Sequence, residues 1–142
     1  MLYKELLEIE RSCPFCGFED TRTIKQGLNS YLTYSLAPYC KHHLLVIPNR
    51  HVEFYEDLNK AEKEDIEELL SCGTKYLKAL GHEGYSILLR NGKSAGKSIP
   101  HLHYHLIPSI EVGSIENNSR NREIMTETEI DFLLKEFRAL TE

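Results

Sequence analysis

Histidine occupies every second position in His101-Leu102-His103-Tyr104-His105-Leu106-Ile107-Pro108. A period of two belongs to an extended strand, whose side chains alternate between faces. A strand over 101–107 therefore sets three imidazoles on one surface and turns Leu102, Tyr104 and Leu106 toward a core. Neighbouring rings on such a face stand roughly 6.5–7 Å apart along the backbone, close enough to share one substrate or one ion. Three titratable groups make a poor core, so that face reads as a site.

The rest of the chain reads as the frame for this strand. Further strands are expected at 30–36, 43–47 and 85–89, with Pro38 and Pro48 as breakers. A long helix is expected from 60 to 80. Asn59 and Glu62 have capping-box spacing, Gly81 supplies a stop, and Ile66, Leu69, Leu70, Tyr76, Leu77 and Leu80 form one apolar stripe. Residues 2–10 read as a short helix and Cys13-Pro14-Phe15-Cys16-Gly17 as a turn. The polar stretch 111–123 reads as a mobile loop, and a terminal helix follows from about 127, with Ile130, Leu133, Leu134, Phe137 and Leu140 on one side. The pattern is α+β, an antiparallel sheet backed by helices. At 142 residues the chain reads as a single domain, 1–142, with its motifs in 13–108 and a C-terminal loop and helix in 111–142.

A hydrophobic content of 41% is enough for an ordinary core, and the net charge of −5 removes the basic surface that polymeric nucleic acid requires. A small nucleotide in a locally positive pocket is still allowed. The first ten residues break their apolar positions with charges, so neither a secretory leader nor a membrane span is read there. A cytoplasmic, reducing setting is expected, with Cys13, Cys16, Cys40 and Cys72 outside any disulfide framework. Nothing in the sequence calls for an organic cofactor.

Cys13-x-x-Cys16 can chelate one ion but supplies only half of a tetrahedral shell. His51, just past Pro48, and His101 would complete a Cys₂His₂ set, a closed shell that is structural rather than catalytic. On spacing alone a redox pair or two unrelated buried thiols stay open, and His51 by itself would be a solvated loop residue. His103 and His105 suit phosphorus chemistry, one ring attacking phosphorus while the other counters charge on the oxygens. A nucleophilic imidazole needs one bare nitrogen and a fixed acceptor for the proton on the other, which a backbone carbonyl can provide. His43 comes alongside if strands 43–47 and 101–107 are neighbours. The loop from Asn91 to Ser98 brings Gly92, Gly96, Lys97 and Ser98 to an anion, or is an ordinary glycine turn. It is one residue short of a Walker A loop and leads into a strand, which excludes that class. His42 should face away from His43, His82 should meet solvent beside the helix stop, and Cys40 and Cys72 read as small apolar fillers.

Taken with Cys13-Pro14-Phe15-Cys16, the run from His43 to His51 and the loop from Asn91 to Ser98, the histidine strand resembles the histidine triad family of nucleotide hydrolases and transferases, in its zinc-containing branch. The resemblance covers about residues 13–108. It implies an α+β fold of about five antiparallel strands with a long central helix and a C-terminal helix, usually as a homodimer. It also implies that His103 attacks the α-phosphorus of a nucleotide and forms a covalent nucleotidyl-histidine, which water cleaves to release a nucleoside monophosphate. His101 would orient that ring through its carbonyl, while its own ring binds structural zinc with Cys13, Cys16 and His51. His105 and His43 would contact the phosphate, Ser98 would assist the leaving group, and Phe15 and Leu45 fall at the base pocket. Histidine at 105, where transferase and phosphorylase branches carry glutamine, points to hydrolysis of dinucleoside polyphosphates, nucleoside phosphoramidates or related conjugates. Lys97 replaces a common glutamine beside the phosphates, where added charge suits a polyphosphate leaving group. Ser35 replaces an acidic ribose ligand, and His42 replaces a glycine. The competing readings are a nucleotide-binding protein with a silent site and a zinc hydrolase built on the histidine strand.

Overall fold

A computed structural model of the chain describes residues 1–5, 13–95, 99–109 and 122–140. Its strands are β1 (Lys25–Gln26), β2 (Ser30–Tyr34), β3 (Leu44–Pro48), β4 (Tyr85–Leu89) and β5 (Tyr104–Pro108), and its long helices are α1 (Lys60–Ala79) and α2 (Glu127–Ala139). All five strands join one antiparallel sheet in the order β1-β2-β3-β5-β4. The strand carrying the histidines is thus central, between β3 and β4.

The helices begin and end where local chemistry dictates. Asn59 accepts from the Glu62 N–H at 2.8 Å while the Glu62 carboxylate accepts from the Asn59 N–H at 2.9 Å, a reciprocal cap on α1. At the other end Gly81 turns left-handed at φ +96°, and the N–H groups of His82 and Gly81 return to the carbonyls of Leu77 and Lys78. Thr126 and Glu129 cap α2 in the same reciprocal way. Glu62 also holds Arg50 through two hydrogen bonds, of 2.8 and 3.1 Å, which ties the chain after β3 to the start of α1.

Alternation along the strands separates two apolar layers. Leu32, Leu44, Val46, Leu102 and Leu106 meet Ile66, Leu69 and Leu77 of α1 and Ile130, Leu133 and Phe137 of α2. Tyr31, Leu45 and Ile47 face the other way, where Phe15 and Phe18 cover them. Phe18 stacks on Tyr31 with centroids 5.1 Å apart, and the Tyr31 hydroxyl donates to the Phe15 carbonyl at 2.7 Å. The turn at 14–17 is thereby clamped against the sheet.

The structure departs from the sequence reading in three places. The ladder of β5 starts at Tyr104 rather than His101, because Pro100 has no N–H and Leu102 donates instead to the Val52 carbonyl at 2.6 Å. The facing pattern survives, since Leu102 is buried in the helix-side core. The two-residue edge strand β1, exposed on both faces, has no hydrophobic pattern to betray it. His82 is not a free surface residue: its ring lies 2.8 Å from His42 and 2.7 Å from the Ser109 hydroxyl, and His42 reaches Glu136 of α2 at 3.2 Å. His42 does face away from His43, in a left-handed turn with φ 70°. Of the expected N-terminal helix only residues 2–5, and of the expected loop at 111–123 only Arg122 and Glu123, fall among the described residues. Among those residues no helix is long and apolar enough to cross a membrane.

At Gly73, α1 packs directly against the histidine strand. A Cβ built there would lie 2.6 Å from Leu106 and 3.4 Å from Leu32, both fully buried. Gly73→Val should cost about 1–3 kcal/mol, measured by urea denaturation, because a close-packed layer relaxes poorly around added methyl groups. A neutral result would show that the helix can lift off the sheet freely.

Candidate active site and metal centre

His101 organises the site because its parts serve two neighbours. Its ring is fully buried, and Nε2 faces the Pro48 carbonyl at 2.8 Å, so that nitrogen must carry the proton. Nδ1 is left with its lone pair, 3.4 Å from Cys13 Sγ and 3.5 Å from Cys16 Sγ. His51 Nδ1 lies 3.1 Å from Cys16 Sγ. The four donor atoms lie within 4.8 Å of one another. Tetrahedral zinc with two thiolates and two imidazoles spaces its donors roughly 3.3–3.8 Å apart, which the sulfur–nitrogen gaps of 3.1–3.5 Å approach, and the widest gap in the set stays within 4.8 Å. Burial pushes the Cys16 thiol up, and Cys13 beside it adds to the shift.

The backbone carbonyl of His101 accepts a hydrogen bond from His103 Nδ1 at 2.8 Å. A carbonyl can only accept, so Nδ1 holds the proton and Nε2 is bare. Phe15 packs on the ring at 5.0 Å, and only 7% of the residue meets solvent. The next pair is wired from the other side. The Tyr39 N–H donates to His43 Nδ1 at 3.1 Å, which puts the His43 proton on Nε2. That nitrogen lies 3.0 Å from His105 Nδ1, so in the neutral pair His105 accepts there and carries its own proton on Nε2. His103 offers a lone pair and His105 offers a donor, with ring centroids 4.9 Å apart. The arrangement can attack an electrophile and bind its oxygen at the same time.

Both supporting rings are held neutral. Burial above all, then the charges of Arg122 and His103, lowers the His43 pKa to about 3. Burial also drives His105 well below its ordinary value, followed by His103, His43, Arg90 and Arg122.

The other expected residues divide. Leu45 lies directly across the ladder from His105 and belongs with Phe15 to the apolar layer beside the triad. Ser35 is buried next to β2, and its N–H donates to the His43 carbonyl. Asn91 has its amide engaged: Oδ1 accepts from the Tyr55 N–H, and Nδ2 donates to the carbonyls of Glu53 and Arg90. In this state it staples the loop rather than offering a free donor. Lys97 and Ser98 lie outside the described residues. Cys40 is no mere filler, since its thiol donates to the Pro108 carbonyl at 3.0 Å and burial raises its pKa to about 11. Sequence reading missed Tyr39 and Pro48, which act through backbone groups common to every residue, and Arg122, which arrives from a stretch read as loop.

The model of the HIT domain matches residues 19–112, well over half of the chain. The chain belongs to the histidine triad family. An adenosine 5′-monophosphoramidase of Schizosaccharomyces pombe is 38% identical over 101 residues, 68% of this chain and 74% of that protein. An AP-4-A phosphorylase of Mycobacterium tuberculosis is 32% identical over 97 residues, 67% of this chain and 50% of that one. Among solved structures, a Zn-bound histidine triad protein of Mycobacterium smegmatis superposes with a TM-score of 0.64 at 18% identity, covering 98% of this chain and 94% of the other. The histidine triad fold expected from the sequence is therefore the fold found.

Neutral imidazoles at 43 and 105 make stability depend on pH with a definite sign. Below the ordinary value of 6.5 the unfolded chain takes up protons that the folded chain refuses. Stability is complete above that value and drains away as the pH falls toward about 3, by up to about 1.4 kcal/mol per pH unit for each ring. Urea unfolding between about pH 7.5 and pH 5 should show this slope, and His43→Asn should flatten it. An unchanged slope in that variant would mean that His43 is not held neutral.

Proposed function

We propose that this protein is a nucleotide hydrolase that works through a covalent nucleotidyl-histidine on His103. The observation that carries the reading is the bond from His103 Nδ1 to the His101 carbonyl, which leaves Nε2 unprotonated beside a ring that donates. His103 Nε2 attacks the α-phosphorus of a bound nucleotide, a nitrogen–phosphorus bond forms, and the bond to the leaving group breaks with its electron pair. His105 Nε2–H hydrogen-bonds a non-bridging oxygen as charge develops there. His43 acts one step back, by holding the tautomer of His105. Water then attacks the same phosphorus, the nitrogen–phosphorus bond breaks, and nucleoside monophosphate leaves with the ring restored. Phe15 and Leu45 are assigned to the apolar wall for the base and Ser35 to the ribose, and the family resemblance assigns Asn91, Lys97 and Ser98 to the phosphates, with Ser98 aiding departure of the leaving group.

The substrates are dinucleoside polyphosphates, nucleoside phosphoramidates or related conjugates. Support comes from the names of the fission-yeast and mycobacterial relatives. Histidine rather than glutamine at 105 favours water as the final acceptor. Replacing His103 by Ala should lower turnover of such substrates by about a thousandfold or more, with no nucleotide trapped on the protein. Full turnover by His103→Ala, with contaminating phosphatases excluded, would end this reading, and tight binding without turnover by the wild type would favour a nucleotide-binding protein.

Zinc would be held by Cys13, Cys16, His51 and His101, and its role when bound is to lock the N-terminal turn and the ring of His101 in place. A closed four-ligand set leaves no position for an attacking water, which sets this site apart from a zinc hydrolase. Purified protein should carry about one zinc per chain, and Cys13→Ser should lose it and melt at least about 5 °C lower. Normal melting of a zinc-free variant would remove the metal from the fold. The edge strand β4, with Tyr85 and Ile87 exposed, is the surface that fits a homodimer, and four free cysteines fit a cytoplasmic setting.

A further inference from the structure

Arg122 lies between the chain start and the segment after β2. Tyr3 donates to its carbonyl at 2.7 Å, and the nearby Met125 N–H donates to Leu36 at 2.7 Å. Its guanidinium carbon stands 3.7 Å from the centroid of the Tyr39 ring and 4.9 Å from that of Tyr3, and Nε donates to the Ala37 carbonyl at 2.6 Å. One terminal nitrogen, Nη1, is buried and has no hydrogen-bond partner among the described residues. Nor does any described carboxylate form an ion pair with it.

This group sits close to the reaction centre. Tyr39, which carries the guanidinium on its ring, stacks on His43 with centroids 5.4 Å apart and planes 28° from parallel. His43 in turn reaches His105. Arg90 directly follows β4, whose Leu89 pairs with Tyr104 between two of the triad histidines. The charges of both arginines add to the lowering of the His105 pKa, after burial and the neighbouring imidazoles. An orphaned buried donor destabilises a fold, and one anion relieves it. A guanidinium is well matched to phosphate oxygens.

We propose that Arg122, with Arg90, forms an anion subsite beside His105 that receives the phosphates of the leaving group, so that this protein favours nucleotides releasing an oligophosphate over those releasing a neutral amine. The proposal rests on the hydrolase reading above. When the bond between the α-phosphorus and its bridging oxygen breaks, the electron pair stays on the departing phosphate. The charge gained there is what Arg122 stabilises, whereas an amine takes a proton on its nitrogen as the P–N bond breaks and leaves without net charge.

The test compares kcat/KM for diadenosine tetraphosphate with that for adenosine 5′-phosphoramidate in wild type, Arg122→Gln, Arg122→Lys and Arg90→Gln, alongside inhibition by inorganic tripolyphosphate. Arg122→Gln should lower the tetraphosphate-to-phosphoramidate ratio by about tenfold or more and weaken tripolyphosphate inhibition to a similar degree, with Arg122→Lys recovering part of both. Equal losses on the two substrates, or an unmoved ratio, would overturn the subsite. If Arg122→Gln does not fold, Arg122→Lys and Arg90→Gln decide the matter, and an unmoved ratio in both overturns it. The underlying reading fails separately: wild-type rates in His103→Ala with tripolyphosphate binding still dependent on Arg122 would sink the hydrolase and keep the anion site. An essential His103 with an unmoved ratio would do the reverse.

Discussion

A single peptide carbonyl, that of His101, decides which nitrogen of His103 is free to react. A neutral imidazole has one donor and one acceptor, and fixing either end fixes both. The same logic runs through the site from three backbone groups: the Pro48 carbonyl sets His101, the His101 carbonyl sets His103, and the Tyr39 N–H sets His43 and through it His105. Main-chain groups cannot change protonation state or rotate away, so they are firmer guides than side chains. The titratable groups are left no choice of tautomer that would spoil their complementarity.

Rigidity beneath the rings comes from the opposite face of the same segment. Leu102 and Leu106 are fully buried under α1 and α2, and Leu106 sits directly against Gly73. The alternation that exposes three histidines thus also anchors them, because every second residue is locked in a close-packed layer. Below His101 the anchor changes character: the ladder gives way to the bond between Leu102 and Val52, and the Cys/His cluster takes over.

Much of this could be read from the linear order of residues. The period of two at 101–107 gave the facing of the histidines, and the Asn59–Glu62 spacing and Gly81 bounded α1 to within a residue. These features are local, so their causes lie within a few positions. The start of β5 was misplaced because Leu102 chooses a partner fifty residues away. Tyr39 and Arg122 were invisible for a related reason. One contributes only its amide and the face of its ring, and the other meets the site through residues 3, 37 and 39, far away in sequence. The brace from Glu136 through His42 and His82 to Ser109 likewise joins four separate elements.

The family match ends at residue 112, yet the buried Phe137 and the guanidinium stacked on Tyr39 both lie beyond it, and Cys13 and Cys16 lie before its start at 19. Excision along those limits would therefore not yield a minimal working unit. It would strip a helix from one side of the sheet and two sulfur donors from the other, leaving the matched middle without either of its flanking supports.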